Sequence, residues 1–227
     1  MTHAFPLPCL ERSSGNAPPV VVQVRADAAL FSRPELKAER VTYPVMTPPA
    51  ARGVLEAIFW KPQMRYRVAA IEVLTPIQQF TVRRNETHRV VPLDAALRGE
   101  RVDTAAHRDQ RNAVCLREVA YRIHAHIEAL PGAKHNAAGY RDQFRRRVSR
   151  GACFHQPFLG TKEFSAEFGN PDDTPPITTS QDLGLMIHTI HHGPPVTMDW
   201  FTARLDAGVL YVPEHGIPAS LETIGAR

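Results

Sequence analysis

An α+β fold is predicted by three features of this sequence. Residues 119–129 alternate strictly between apolar and polar side chains, and two segments with helical periodicity, 47–59 and 137–150, lie on either side of them. Short β-branched runs fill the rest, in the order β-α-β-(insertion)-β-α-β with a β-rich tail. That order is the pattern of a ferredoxin-like or RRM-like domain followed by a small β-rich C-terminal domain.

The elements follow from local chemistry. Residues 1–19 carry Pro6, Pro8, Pro18 and Pro19 among Ser, Gly and Asn, and are expected to form a flexible N-terminal arm. Val20-Val21-Val22-Gln23-Val24 is a short buried strand, and a charged loop runs from Ser32 to Met46. Thr47 is placed to cap a helix whose first turn tolerates Pro48 and Pro49; Val54, Leu55, Ile58 and Phe59 form its apolar stripe, and Lys61-Pro62 ends it. A second strand is expected within 67–80. Residues 82–112 show little period and are predicted to be an exposed insertion or long loop.

In the clearest strand, Val119, Tyr121, Ile123, Ala125, Ile127 and Ala129 share one face. Ala120, Arg122, His124, His126 and Glu128 share the other, which predicts a sheet covered on one side only. After Pro131-Gly132, a helix with Tyr140, Phe144 and Val148 at i, i+4 and i+8 ends at Gly151. Strands are expected over 158–168 and 183–191, and around Ala207-Gly208 up to Val212. The domain division read from this is 1–19, 20–151 with the insertion at about 82–112, and 152–227.

With 43% hydrophobic and 22% charged residues the 227-residue chain reads as a globular protein that buries a sizeable core. Three scattered cysteines without a CxxC argue against a disulfide framework or a thiolate zinc site and suit a cytoplasmic protein. No apolar run reaches membrane-spanning length, no signal peptide is evident, and no membrane partner is expected. The net charge is +4, yet Lys134 to Arg150 alone holds six cations (Lys134, Arg141, Arg145, Arg146, Arg147 and Arg150) against Asp142, or +5. Guanidiniums on such a helix suit phosphate oxygens, but charge alone leaves a solvated face, with an Asp142–Arg146 pair, equally open. A second basic group, Lys37, Arg40, Lys61, Arg83 and Arg84, is scattered.

Eleven histidines invite a metal reading, and His124 with His126 could reach one ion, but no third ligand stands at a convincing spacing, so neither metal nor cofactor is expected. Lys134-His135 sits in the loop between the best strand and the most basic helix. RNA cuts itself once its 2′-hydroxyl is deprotonated and aligned on phosphorus. A histidine near neutral pKa can move that proton, and a lysine can stabilise the charge on phosphorus.

Longer stretches carry a resemblance. Tyr43-Pro44-Val45-Met46, Ile58-Phe59-Trp60-Lys61-Pro62, Arg83-Arg84-Asn85-Glu86, Gln156-Pro157-Phe158-Leu159-Gly160-Thr161-Lys162-Glu163-Phe164 and Asp182-Leu183-Gly184 occur in order over about residues 20–212. Together they resemble the Cas-five family of type I-C CRISPR systems, in the RAMP superfamily. The resemblance implies an RRM-like domain and a metal-independent endoribonuclease that cuts precursor CRISPR RNA at the repeat stem-loop. Its products would be a 2′,3′-cyclic phosphate and a 5′-hydroxyl. Expected partners are the CRISPR RNA repeat and its 5′ handle, the backbone and large subunits of the Cascade complex and, through that complex, target DNA. The family's Lys-His pair maps onto Lys134 and His135. Its catalytic tyrosine falls at Phe59, which has no hydroxyl. Either that hydroxyl is dispensable, or Tyr43 supplies it, or the cut is slow. A handle-binding subunit without nuclease activity is the alternative. The expected RNA-binding residues are Lys37, Arg40, Trp60, Lys61, Arg83, Arg84, Arg141, Arg145, Arg146 and Arg147.

Overall fold

A single curled, almost wholly antiparallel sheet organises the chain, with two helices laid on one face. The computed structural model describes residues 10, 17–36, 38–87, 91–101, 103–133 and 135–220. Ten strands are described: β1 (Val20–Ala29), β2 (Arg40–Val41), β3 (Met64–Val73), β4 (Gln79–Thr87), β5 (Arg108–Ala129), β6 (Glu167–Gly169), β7 (Gln181–His191), β8 (Thr197–Asp206), β9 (Val209–Tyr211) and β10 (Ile217–Ser220). The helices are α1 (Pro48–Ile58), the short α2 (Leu93–Leu97) and α3 (Ala137–Ser149). The strand order is β10-β8-β9-β3-β5-β1-β6, with β2 and β4 also on β5, and β7 on β8. Among the described strands only β2 runs parallel to its neighbour.

The 22-residue β5 is the spine. Its second half takes β1 on one side and β3 on the other, while its first half, Arg108 to Leu116, pairs with β4. The segment expected to be a loop at 82–112 is therefore largely a β-hairpin arm, tipped by α2. Its side chains are mostly polar on both faces, so no hydrophobic period announces it; backbone pairing alone sets its register. Glu118, at the unusual φ of 48°, marks the point where the arm meets the main sheet.

The apolar face of β5 (Tyr121, Ile123, Ala125, Ile127) forms the core with Val20, Val22 and Val24 of β1, α1 and α3. Ala51, Val54, Leu55 and Ile58 of α1 and Tyr140, Phe144 and Val148 of α3 are buried there, as their spacing predicts. Thr47 occupies the N-cap of α1, but its side chain makes no capping bond; Pro48 and Pro49 set the first turn instead. Leu183, Met186, Phe201, Leu205 and Leu210 from β7–β9 join the same core, and β9 pairs with β3, so the C-terminal strands extend the one sheet. Ala207 and Gly208, both at positive φ, make the tight turn between β8 and β9. Strand over 158–168 is confined to a Phe158–Ser165 bridge and β6. Between them Gly160, at φ 87°, passes so close to the Leu30 carbonyl that a Cβ would sit 1.9 Å from its oxygen. Only glycine fits there.

The polar face of β5 departs from expectation. Arg122, His124 and His126 are buried, not solvated. Glu72, opposite Arg122 in the β3–β5 register, bonds its guanidinium at 2.5 Å and accepts from His124 Nε2 at 2.5 Å. Arg122 also donates to the carbonyls of Asp172 (2.7 Å) and Thr174 (2.9 Å), which lays that segment across the sheet. Gln23 and Arg25 reach the Asp172 carboxylate. Hydrogen bonds from Thr174 above all hold that carboxyl at about 2. The counter-charge lies about fifty residues upstream, where strand alternation cannot reveal it.

Candidate functional site

His135 stands at the end of the sheet where β5 finishes and α3 begins. Its neighbour Asn136 is the N-cap, accepting from the Gly139 amide at 3.0 Å. His135 is thus one residue before the cap, and its ring meets Tyr140 edge-on at 5.8 Å and 87°. Tyr140 is the fourth residue of the helix, so this contact has the geometry of a staple across the helix start. The exposed imidazole is thereby oriented by a buried ring and a capped helix, while one edge remains open to solvent. Amides at a helix start also favour a phosphate. Asn136 and Tyr140 were not singled out from sequence as site residues. The signal was there: Asn at the cap, and rings on either side of it five residues apart.

Behind Tyr140 lies Phe59, with ring centroids 6.4 Å apart, and Arg147 covers Phe59 at 5.5 Å and donates to the Ile58 carbonyl at 3.2 Å. Phe59 is buried and is one ring removed from His135. Trp60 (48% exposed) and Lys61 follow at the surface. They belong to this end because Met64 pairs with Ala129 and the Leu130 amide donates to the Gln63 carbonyl. The fold therefore brings His135, Trp60 and Lys61 to one end of the sheet, while Arg147, in the last turn of α3, reaches this end only through its contact with Phe59. Lys134 and Lys37 lie outside the described residues.

Other expected residues fall elsewhere. Tyr43 is fully buried under Arg33, whose guanidinium is 4.4 Å from its ring. Burial raises its hydroxyl to about 12, and none of its described contacts reaches His135. Arg40, Arg83 and Arg84 lie on the hairpin arm, opposite Ala113, Asn112 and Arg111 of β5. That is roughly 50 Å of strand contour from Ala129. Arg40 pairs with Glu86 at 3.2 Å and Arg84 with Glu163. On α3, Asp142 pairs with Arg145 at 3.6 Å, not with Arg146 as its spacing first indicates. Arg141 and Arg146 have no carboxylate partner among the described residues.

Comparison with known proteins places this arrangement. Residues 20–209 match the family model of the CRISPR-associated protein Cas5, in its Cas5d form. A protein of Mannheimia succiniciproducens named CRISPR pre-crRNA endoribonuclease Cas5d is 39% identical over 210 residues, covering 85% of this chain and 93% of that one. A Thermus thermophilus protein of the same name is 44% identical over 167 residues, 73% of this chain and 70% of that one. Among solved structures, one described as a CRISPR-associated protein superposes with a TM-score of 0.64 at 20% identity, over 90% of this chain and 94% of the other, which is a likeness of fold. By its match across almost the whole described sheet, the chain belongs to the Cas5 family of CRISPR-associated proteins and is of the Cas5d type.

Proposed function

We propose that this chain is an endoribonuclease that cuts precursor CRISPR RNA at the repeat, with His135 as its proton-transfer group. The observation that carries the reading is an exposed, oriented histidine at the start of a basic helix, in a chain whose relatives are named for that activity. In the reaction the RNA 2′-hydroxyl loses its proton and attacks the adjacent phosphorus. The bond to the 5′-oxygen breaks, and that oxygen takes a proton. The products are a 2′,3′-cyclic phosphate and a 5′-hydroxyl. His135 accepts the first proton or supplies the second, and Lys134 together with the α3 amides stabilises charge on phosphorus. Tyr43 is given no part, because its hydroxyl is buried away from solvent.

Trp60, Lys61, Arg141, Arg145, Arg146 and Arg147 form the near RNA-binding surface, and Arg40, Arg83 and Arg84 a second surface at the arm; Lys37, outside the described residues, is kept as an RNA-binding residue from sequence. The ion pairs of Arg40 and Arg84 are on the surface and worth about 0–1 kcal/mol, so a phosphate can displace either carboxylate. The order β6-β1-β5-β3, with α1 and α3 as the crossovers, supports an RRM-like unit that reaches Gly169, beyond the boundary at 151. The expected arm at 1–19 lies almost wholly outside the described residues, and the strands after Gly169 are assigned as a β-rich appendage. After cutting, the chain keeps the 5′ handle and docks with the backbone and large subunits of Cascade, meeting target DNA only through that complex.

Cleavage of a repeat hairpin by the purified chain is expected to persist in millimolar EDTA, with both product ends as stated. Loss of cleavage on chelation, or 3′-hydroxyl products, would overturn the mechanism. Phe59 favours a second reading, a handle-binding subunit that no longer cuts. A Phe59→Tyr variant is expected to cut within a few-fold of wild type, because ring 59 touches Tyr140 and is buried. An inert wild type rescued by Phe59→Tyr would instead establish the second reading.

A further inference from the structure

The stripe on α3 beside its buried face takes no part in bond breaking, and what Arg146 and Arg147 of the RNA-binding surface hold there follows from their surroundings. Gln143, Arg146, Arg147 and Arg150 recur at helical spacing and, with Ala152 and Cys153, line a groove of about 430 Å³. Arg147 forms one wall, held by Ile58 and the Phe59 ring. Arg146 and Arg150 extend from the last turn and beyond it, with no carboxylate partner among the described residues. As like charges at i and i+4 they repel each other. A helix C-terminus has a use for a positive charge, but three guanidiniums around one groove exceed what its partial charge offsets.

A second observation lies one residue beyond Cys153 of the groove lining. Phe154 is 72% exposed and stands against His155, ring centroids 4.4 Å apart. The amides of both residues donate to the Ala57 carbonyl, at 2.8 and 3.0 Å, so this exposed ring is carried on backbone fixed to the end of α1. A held, solvent-facing aromatic next to free guanidiniums is the arrangement that takes one unpaired base and its phosphate.

Resting on the endoribonuclease reading, we propose that this groove is a subsite for single-stranded RNA flanking the repeat stem. Arg146 and Arg150, with Gln143, hold backbone phosphates, and a base stacks on Phe154. The site lies at the C-terminal end of α3, a helix length from His135, so it positions RNA and takes no part in bond breaking.

Binding of two probes to the full chain, a repeat hairpin with single-stranded flanks and the same hairpin without them, tests this in a His135→Ala background. For the flanked RNA, Arg146→Ala/Arg150→Ala is expected to raise Kd at least about tenfold. The slope of log Kd against log salt should fall by roughly 1.4, at about 0.7 for each of two phosphates. Phe154→Ala is expected to raise Kd about 5- to 100-fold with the salt slope unchanged. The flankless hairpin should lose little in either variant. In a Cys9→Ser chain, flanked RNA should also slow alkylation of Cys153 in the groove, while Cys115 is buried and silent. Equal Kd for wild type and variants whose circular dichroism is unchanged, equal losses for both RNAs, or no protection of Cys153 would each overturn the subsite. If the variants bind as wild type does and the His135 chain still cuts, only the subsite falls. If the chain binds neither RNA, the endoribonuclease reading falls with it.

Discussion

Replacing His135 with alanine is expected to slow repeat cleavage by about 100- to 10,000-fold, the usual contribution of a positioned proton-transfer group. RNA affinity should stay within about twofold, because the guanidiniums that meet phosphate are on other turns of α3. The substitution suits the test structurally. The His135 side chain is exposed, and Asn136 keeps its bond to the Gly139 amide, so the helix start survives. Only the edge contact to Tyr140 is lost. Single-turnover rates on a repeat hairpin measure the chemistry, and filter binding measures the affinity. A variant that cuts at the wild-type rate would remove His135 from the mechanism. One that loses binding and cutting together would make it an RNA contact.

The sequence made this site legible only in part. Strict alternation located β5, the Tyr140/Phe144/Val148 stripe located α3, and Gly151, at φ 62°, ends that helix as its position predicts. Those elements bracket His135, so its place between strand and basic helix could be read directly. Its companions could not. Trp60 and Lys61 come alongside only through the β3–β5 register, which pairs Met64 with Ala129 across 65 positions of chain. The same register separates the arm arginines from the α3 arginines, though both groups read alike as basic stretches. The hairpin arm escaped for a different reason: a ribbon that is polar on both faces has no hydrophobic period. The polar face of β5 misled because alternation cannot distinguish water from a buried partner. Glu72, Asp172 and Thr174 are that partner, and each comes from a distant segment.

That buried face should dominate stability. Glu72→Ala is expected to destabilise the fold by about 3–5 kcal/mol, since it removes the buried countercharge of the Arg122 guanidinium and leaves only the half-exposed Asp172 carboxylate at 3.8 Å. The Glu72 and Arg122 side chains are fully buried, and the bond to His124 is lost as well. Pairing Glu72→Leu with Arg122→Met should recover much of the loss, because apolar groups of similar volume often replace a buried ion pair without penalty. The pH dependence has a definite sign. Burial raises the Glu72 carboxyl, but hydrogen bonds and charge from His124 and Arg122 outweigh it, so the folded value lies below the usual 4.5. A lowered folded value means that the stabilisation is complete above the unfolded carboxylate range and fades as pH falls through the folded one. Urea melts from pH 7 down to pH about 3 should therefore show the gap between wild type and Glu72→Ala narrowing toward the acid end. A gap that is constant or widens would mean that Glu72 is not ionised in the folded chain. Because Arg122 also holds the carbonyls of Asp172 and Thr174, the variant should open that segment first, detected as new protease cleavage around 172–178. If the segment stays protected while global stability falls, then Gln23, Arg25 and the Ile177–Val73 backbone bond fix it, and Arg122 serves the sheet alone.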